Sequence, residues 1–250
     1  MTHFFSVVIP VYNGWEYLQK TLKSFCHQTF KNFEVIIADD GSTDNTGELV
    51  QGAKWSFPLR YYRQEHAGRA AARNLGWKNS RGNIVLFIDS HGLLDASCLD
   101  EHYKAHLKTE GSDVALVFGH LALIGDIANF GRKDFSATKQ QQKWMLKHEQ
   151  DPFRACKTGN VSIRKTILEK IGGFDEDFKG YGFEDAEFGL RLKKAGYRFK
   201  ANWLATIYVF SLHQTLAGRC QKMREAGHNA VLFRKKHPWI GLQLVNPISR

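Results

Sequence analysis

Short runs of β-branched and aliphatic residues alternate with stretches of helical apolar spacing from the start of the chain as far as Ile88. Ser6-Val7-Val8-Ile9-Pro10 reads as a buried strand closed by proline. After Asn13-Gly14, the residues Tyr17, Leu18, Thr21, Leu22 and Phe25 recur at the spacing of one helix face. Phe33 to Ala38 predicts the next strand, and Ser42 or Thr43 is the expected N-cap of a helix running toward Val50. Leu59 to Tyr62 predicts a third strand, Ala67 to Trp77 a helix, and Ile84 to Ile88 a fourth strand that is apolar throughout. Strand and helix in alternation imply a parallel, doubly wound α/β sheet.

Beyond Gly92 the regularity thins. Leu99 to Lys108 reads as a helix and Val114 to Gly119 as a strand. The stretch 129–150 is polar around Lys139-Gln140-Gln141-Gln142-Lys143, which suggests a helical excursion or a loop over the site. Thr166 to Ile171 predicts a short helix ended by Gly172-Gly173, and Asp185 to Lys194 another stopped by Gly196. Arg219 to Lys236 contains a basic set, while Leu216, Cys220, Met223, Ala226 or Gly227, Ala230 and Phe233 recur at three- or four-residue steps. That predicts an amphipathic helix whose apolar stripe packs on the core and whose basic side is solvated or rests on anionic lipid.

The chain has 250 residues, of which 43% are hydrophobic and 24% charged, as in an ordinary globular protein. No apolar run reaches the ~20 residues of a membrane span, and Met1-Thr2-His3-Phe4-Phe5 lacks the basic start of a signal peptide. Cys26, Cys98, Cys156 and Cys220 are scattered, with neither zinc-ribbon nor disulfide spacing. A reducing, cytoplasmic setting is the expectation, with peripheral contact on the inner face of a membrane as an option. The net charge of +10 suits anionic substrates or lipid. No nucleic-acid-reading motif accompanies it, so no nucleic-acid partner is expected.

Three carboxylate-bearing segments change the picture from fold to chemistry. They are Ala38-Asp39-Asp40-Gly41-Ser42, Ile88-Asp89-Ser90-His91 and Gly182-Phe183-Glu184-Asp185. A strand ending in Asp-x-His presents an oxygen and an imidazole ligand at the carboxyl edge of the sheet, where ligands bind in open α/β folds. Two adjacent acids after a glycine-rich turn supply a candidate general base. A metal site with a base beside it is the inventory of an enzyme acting on a phosphate-bearing substrate.

Taken in order, these segments resemble those of the family 2 glycosyltransferases of GT-A fold. Ser6 to Asn13 is similar to the family's opening strand, Ala38 to Asp44 to its nucleotide-binding turn, and Ala71-Ala72-Arg73-Asn74-Leu75-Gly76 to the helix that follows. Asp89-Ser90-His91 stands where the family carries a DxD motif. Its terminal histidine resembles the DxH of polypeptide N-acetylgalactosaminyltransferases. Gly172-Gly173-Phe174-Asp175 and Gly180 to Asp185 are similar to the acceptor-side signature. The resemblance implies a single GT-A domain over 1–250, Rossmann-like with a mostly parallel central sheet. Its nucleotide-binding half would be 1–92, its acceptor-binding half 93–213 and its basic helical tail 214–250.

The resemblance also implies site roles. Asp89 and His91 would hold Mn²⁺, with Mg²⁺ as the less suited alternative. His213, after the apolar run Val209 to Leu212, would be the third ligand, as in chondroitin-polymerase-like and β-1,4-galactosyltransferase-like enzymes. Asp185 would be the base, Glu184 would bind acceptor hydroxyls, and Glu187 would support their turn. Pro10, Tyr12, Asp39, Asp40, Arg73, Asp89 and Ser90 would face a UDP-sugar. Tyr12 suits stacking on the pyrimidine. Either Asp39 or Asp40 suits its N3–H, Asp40 being preferred and Asp39 otherwise holding the turn. Arg73 suits a phosphate, a base edge or a surface ion pair. The implied reaction is inverting, metal-dependent transfer of a hexosyl or N-acetylhexosaminyl group to a hydroxyl of a growing surface polysaccharide or lipid-linked glycan. Its rivals are a retaining transferase acting on a protein or peptide hydroxyl, and a nucleotide-sugar-binding module without catalysis. Donor sugar, linkage and oligomeric state are not set by these motifs.

Overall fold

The computed structural model describes residues 4–124, 135–210 and 215–240. Four strands follow the apolar runs: β1 (Phe5–Val11), β2 (Phe33–Asp39), β3 (Leu59–Arg63) and β4 (Ile84–Ile88). They pair in parallel in the order β3-β2-β1-β4. Four more complete the sheet: β5 (Gly92–Leu94), β6 (Val114–Ile124), β7 (Asn160–Arg164) and β8 (Arg198–Phe210). The full order is β3-β2-β1-β4-β7-β6-β8-β5. Strand β7 runs antiparallel to β4 and β6, and β5 antiparallel to β8, while β6 and β8 are parallel. The mostly parallel α/β architecture expected from the alternating pattern is therefore present.

Strand periodicity sends alternate side chains to opposite faces. Val8, Ile36, Val85 and Phe87 point to one face, where α3 (Arg69–Lys78), α7 (Lys165–Ile171) and α8 (Glu184–Lys194) cover them. Val7, Ile9, Val35, Ile37 and Leu86 point to the other, under α1 (Trp15–Phe25), α2 (Thr46–Gly52) and α4 (Cys98–Lys108). The remaining helices are α5 (Phe135–Lys147), α6 (Pro152–Ala155) and α9 (Leu216–Lys236).

Several boundaries differ from the sequence expectation. Helix α2 starts at Thr46 without a side-chain cap, because the Ser42 hydroxyl instead accepts from the Asn13 N–H at 2.9 Å. Strands β5 and β7 and most of β8 gave no clear signal: β5 is three residues long, and β7 and β8 carry Ser162, Lys200 and Asn202 among their apolar positions. The polar stretch after residue 134 is helix α5, and 125–134 lies outside the described residues.

The tail needs a larger correction. Helix α9 forms and is capped by the Thr215 hydroxyl, which accepts from Gly218 N–H at 3.1 Å. Its buried residues are Ala226, Asn229 and Phe233, whereas Leu216, Cys220 and Met223 of the expected stripe are exposed. The two glycines, Gly218 and Gly227, carry no side chain to continue such a stripe. The helix therefore packs by its C-terminal half only. All four cysteines are free thiols, Cys98 and Cys156 buried.

Gly76 lets α3 lie directly on β1: a Cβ there would run into the Val8 side chain. Gly76→Ala should cost about 1–3 kcal/mol through overpacking. Gly52→Ala, at a position with nothing within 4 Å, should leave stability unchanged or slightly raised. Urea titration of both variants checks the pair.

Candidate active site

Because β1 to β4 run parallel, their carboxyl ends fall on one edge of the sheet. Tyr12, Asp39, Asp40 and Asp89 stand there because each follows or ends one of these strands. The turn after β1 is locked to the turn after β2. Asn13, in the left-handed region at φ 49°, accepts from Thr43 N–H at 2.8 Å and Asp44 N–H at 3.3 Å. The half-exposed Tyr12 ring lies 4.4 Å from that of His66, the two planes tilted by 36°. Pro10 is partly exposed beside it.

Both acids of the Asp39-Asp40 pair are buried and engaged. Asp39 accepts from the Tyr61 hydroxyl at 2.6 Å and from Ser42 N–H at 2.8 Å, the turn-holding role anticipated for it. Burial and the adjoining Asp39 carboxylate push the Tyr61 hydroxyl above its ordinary range. Asp40 accepts from Gln64 Nε2 at 2.7 Å, Ala67 N–H at 2.9 Å and Gly68 N–H at 2.9 Å. It thereby fixes the approach to α3.

Arg73 lies one turn into α3 with 3% of its side chain exposed, so the surface ion pair considered from sequence is excluded. Its guanidinium donates to Glu184 Oε1 at 3.0 Å and lies 3.6 Å from Asp89 Oδ1. Asn74, next along, accepts from Phe174 N–H at 2.9 Å and donates to the Phe174 carbonyl at 2.8 Å and Glu176 at 2.7 Å. Neighbouring residues of α3 thus bind the two later motifs to the first. Although burial opposes its charge, the carboxylates around it hold the Arg73 guanidinium's pKa above its ordinary value.

Glu184 and Asp185 open α8 behind Phe183, which is left-handed at φ 75°. That conformation is costly for a bulky residue and recurs at functional sites. Asn229 of α9 braces the loop, donating to the carbonyls of Lys179 and Gly182, each at 2.9 Å. Glu184 is buried against Arg73, while Asp185 is partly exposed and uncommitted apart from its own Ala186 N–H. Burial and the adjacent Glu184 charge push the Asp185 carboxyl up to about 6, opposed by Arg73. Glu187 is buried and paired with Arg191, which donates onward to the carbonyls of Ile171 and Gly173.

Asp89, Ser90 and His91 are partly exposed at the end of β4. A Cβ on Gly159 would come within 3.1 Å of Asp89 Oδ2, so that glycine keeps the carboxylate open on one side. Burial holds the His91 imidazole below its ordinary value, favouring the neutral form that ligates metals. The Phe210 N–H, at the end of β8, donates to the His91 carbonyl at 3.3 Å. His213 lies outside the described residues, among which no three His, Cys, Asp or Glu side chains gather into a metal cluster. Asp89 and His91 fit a divalent cation as two of its ligands. His102 and His106 lie elsewhere, in a buried network through Ser162.

Residues 6–172 match the profile of glycosyl transferase family 2. The chain belongs to that family. Residues 141–214 also match a profile described as the N-terminal domain of galactosyltransferase. The Escherichia coli chondroitin synthase is 30% identical over 94% of the chain, which spans only 38% of that protein. An uncharacterized Bacillus subtilis glycosyltransferase is 29% identical over 93% of the chain and 70% of its own length. In fold, the chain is similar to Staphylococcus aureus TarS in complex with UDP-GlcNAc. The TM-score is 0.64 at 19% identity, covering 91% of this chain and 65% of that one. It is likewise similar to a Pyrobaculum calidifontis mannosyltransferase in complex with GDP-Man and Mn²⁺. There the TM-score is 0.67 at 19% identity, covering 95% and 65%.

Sequence reasoning missed three neighbours of this site. Arg69 and Lys222 flank the Tyr181 ring, and Arg69 stands one turn ahead of Arg73 on α3. Tyr181 lies inside a quoted motif, but nothing in a chain with many cations marks Arg69 or Lys222.

Removing Arg73 would strand the buried Glu184. Arg73→Met should therefore cost about 3–5 kcal/mol, and Arg73→Met with Glu184→Gln should recover much of that loss. Equal stability of wild type and Arg73→Met in urea would sink this account of the buried pair.

Proposed function

We propose that the protein transfers a sugar, with inversion, from a UDP-sugar to a hydroxyl of a growing glycan. The observation that carries this reading is the placement of Asp185. It is uncommitted and partly exposed, and it sits across Arg73 and Glu184 from the Asp89-Ser90-His91 edge. In this reading the nucleoside lies along the Tyr12 edge between Pro10 and Ser90, with Asp39 and Asp40 shaping the turn beneath it. The diphosphate lies toward Asp89 and His91. Asp185 accepts the proton of the acceptor hydroxyl as its oxygen bonds to the anomeric carbon. The bond from that carbon to the diphosphate breaks, and UDP departs with the electron pair. Glu184, anchored on Arg73, positions the acceptor.

A divalent cation on Asp89 and His91, with His213 as a further ligand, would supply neutralisation of the leaving diphosphate. Its proposed identity is Mn²⁺, since an oxygen and an imidazole suit it better than Mg²⁺. Support also comes from the fold neighbours bound to UDP-GlcNAc and to GDP-Man with Mn²⁺. Polymer synthesis draws support from the chondroitin synthase relative. No helix of the described residues is long and apolar enough to cross a membrane. Peripheral docking at a cytoplasmic face would use the exposed Leu216 and Met223 with the cations of α9 around them.

Two outcomes check the mechanism. UDP-sugar turnover should vanish in chelator and return best with Mn²⁺, and NMR of the product should show the anomer opposite to the donor's. Full activity in chelator, or a retained anomer, would falsify it.

The second concerns Asp185. Asp185→Asn should lower kcat by at least ~10²-fold while UDP binding changes little. A carboxyl raised to about 6 is protonated below that pH and accepts no proton, so wild-type kcat should fall as pH drops through about 6. The same shift makes the folded protein bind the extra proton, so its stability declines as pH rises from about 4 through about 6. Asp185→Asn should remove that decline and be no less stable than wild type at pH 8. A pH–rate profile and thermal melts at two pH values test both.

A further inference from the structure

We propose that Lys222 of α9 and Arg69 of α3, held on either side of Tyr181, form a cationic clamp for the diphosphate of the donor. This inference rests on the nucleotide-sugar reading of the site. Arg69 opens the helix whose approach is fixed by Asp40, and its guanidinium lies 5.0 Å from the centre of the Tyr181 ring. The Lys222 ammonium lies 5.4 Å from the same centre. Tyr181 itself is held between glycines, and Asn229, two turns along from Lys222, accepts no role but bracing the backbone on both sides of it. A Cβ on Gly180 would meet Glu225 of α9 at 2.8 Å, so loop and helix are in close contact.

Neither cation forms an ion pair with a carboxylate among the described residues. Two like charges about one ring repel; Glu225 of α9 offsets this in part at Lys222, and a bound anion would offset it at both. Arg69 stands one helical turn ahead of Arg73, whose guanidinium lies 3.6 Å from Asp89 Oδ1, and the Gly68 N–H just before it donates to Asp40 at the strand edge. The clamp therefore stands beside the edge where the diphosphate is proposed to lie.

The test is calorimetric titration of the full chain with UDP, UMP and uridine, in Mn²⁺, for wild type, Lys222→Met and Lys222→Arg. Methionine keeps the apolar stem on Tyr181 and removes the charge. Lys222→Met should weaken UDP binding by about tenfold to a hundredfold, the range for a charged hydrogen bond, and leave uridine unchanged. Lys222→Arg should restore most of the UDP affinity, and Arg69→Gln should reproduce the selective loss. Unchanged UDP affinity in Lys222→Met, or equal loss of uridine and UDP, would overturn the clamp. A wild type that binds no UDP would overturn the nucleotide-sugar reading as well, and the wild-type titration alone separates that result from failure of the clamp.

Discussion

The site depends on one buried guanidinium. Arg73 joins Asp89, at the end of the fourth strand, to Glu184, at the start of a helix more than a hundred residues later. Burying such a cation is expensive unless carboxylates surround it, and here they do. Asn74 extends the same tie to the Phe174 turn, so one helical turn of α3 sets the position of both later motifs. This arrangement explains why three segments far apart in the chain belong to one piece of chemistry. The strand edge cannot move relative to the acceptor-side helix without leaving a charge unpaired.

The same tie divides labour between two adjacent acids. Glu184 is buried and fixed by Arg73, whereas Asp185, the next residue of the helix, makes no ion pair with that guanidinium and is partly exposed. Burial and then the proximity of the fixed Glu184 charge raise the Asp185 carboxyl, against the pull of Arg73. A carboxyl held near neutrality thus arises from burying a helix start beside a second acid, with no special residue type required. The strained backbone of Phe183, held by α9, is what directs α8 into that geometry.

How far this was legible in the sequence follows from the range of each interaction. Strands β1, β2 and β4 were legible because their side chains are mostly apolar on both faces, β3 from its short Leu59-to-Tyr62 run, and α1 and α4 because their spacing is regular. Strands β5, β7 and β8 were not, since they are short or carry polar residues that find partners only in the folded sheet, as Ser162 does with His102. Asp89, Glu184 and Asp185 could be singled out from their motifs. The pairing of Arg73 with Glu184 could not, because no local pattern reports a bond 111 positions long. The tail was misread for a related reason. A three-to-four-residue recurrence of small and apolar residues predicts one packed stripe, but only Ala226 and Phe233 of it, with Asn229 between them, are buried.

Charge distribution gives the last constraint. Asp89, Glu184 and Asp185 surround a single buried arginine, so the inner site carries more carboxyl groups than it has cations to match. Arg69 and Lys222 stand one layer outward, around Tyr181. An anion with a dication bound to it would meet both needs at once, its positive centre facing the acids and its oxygens facing the outer pair. A nucleoside diphosphate with a divalent metal has that polarity, whereas a bare sugar or a free metal ion has only half of it. The order of charges from the core outward therefore favours a substrate that brings its phosphate and its cation together.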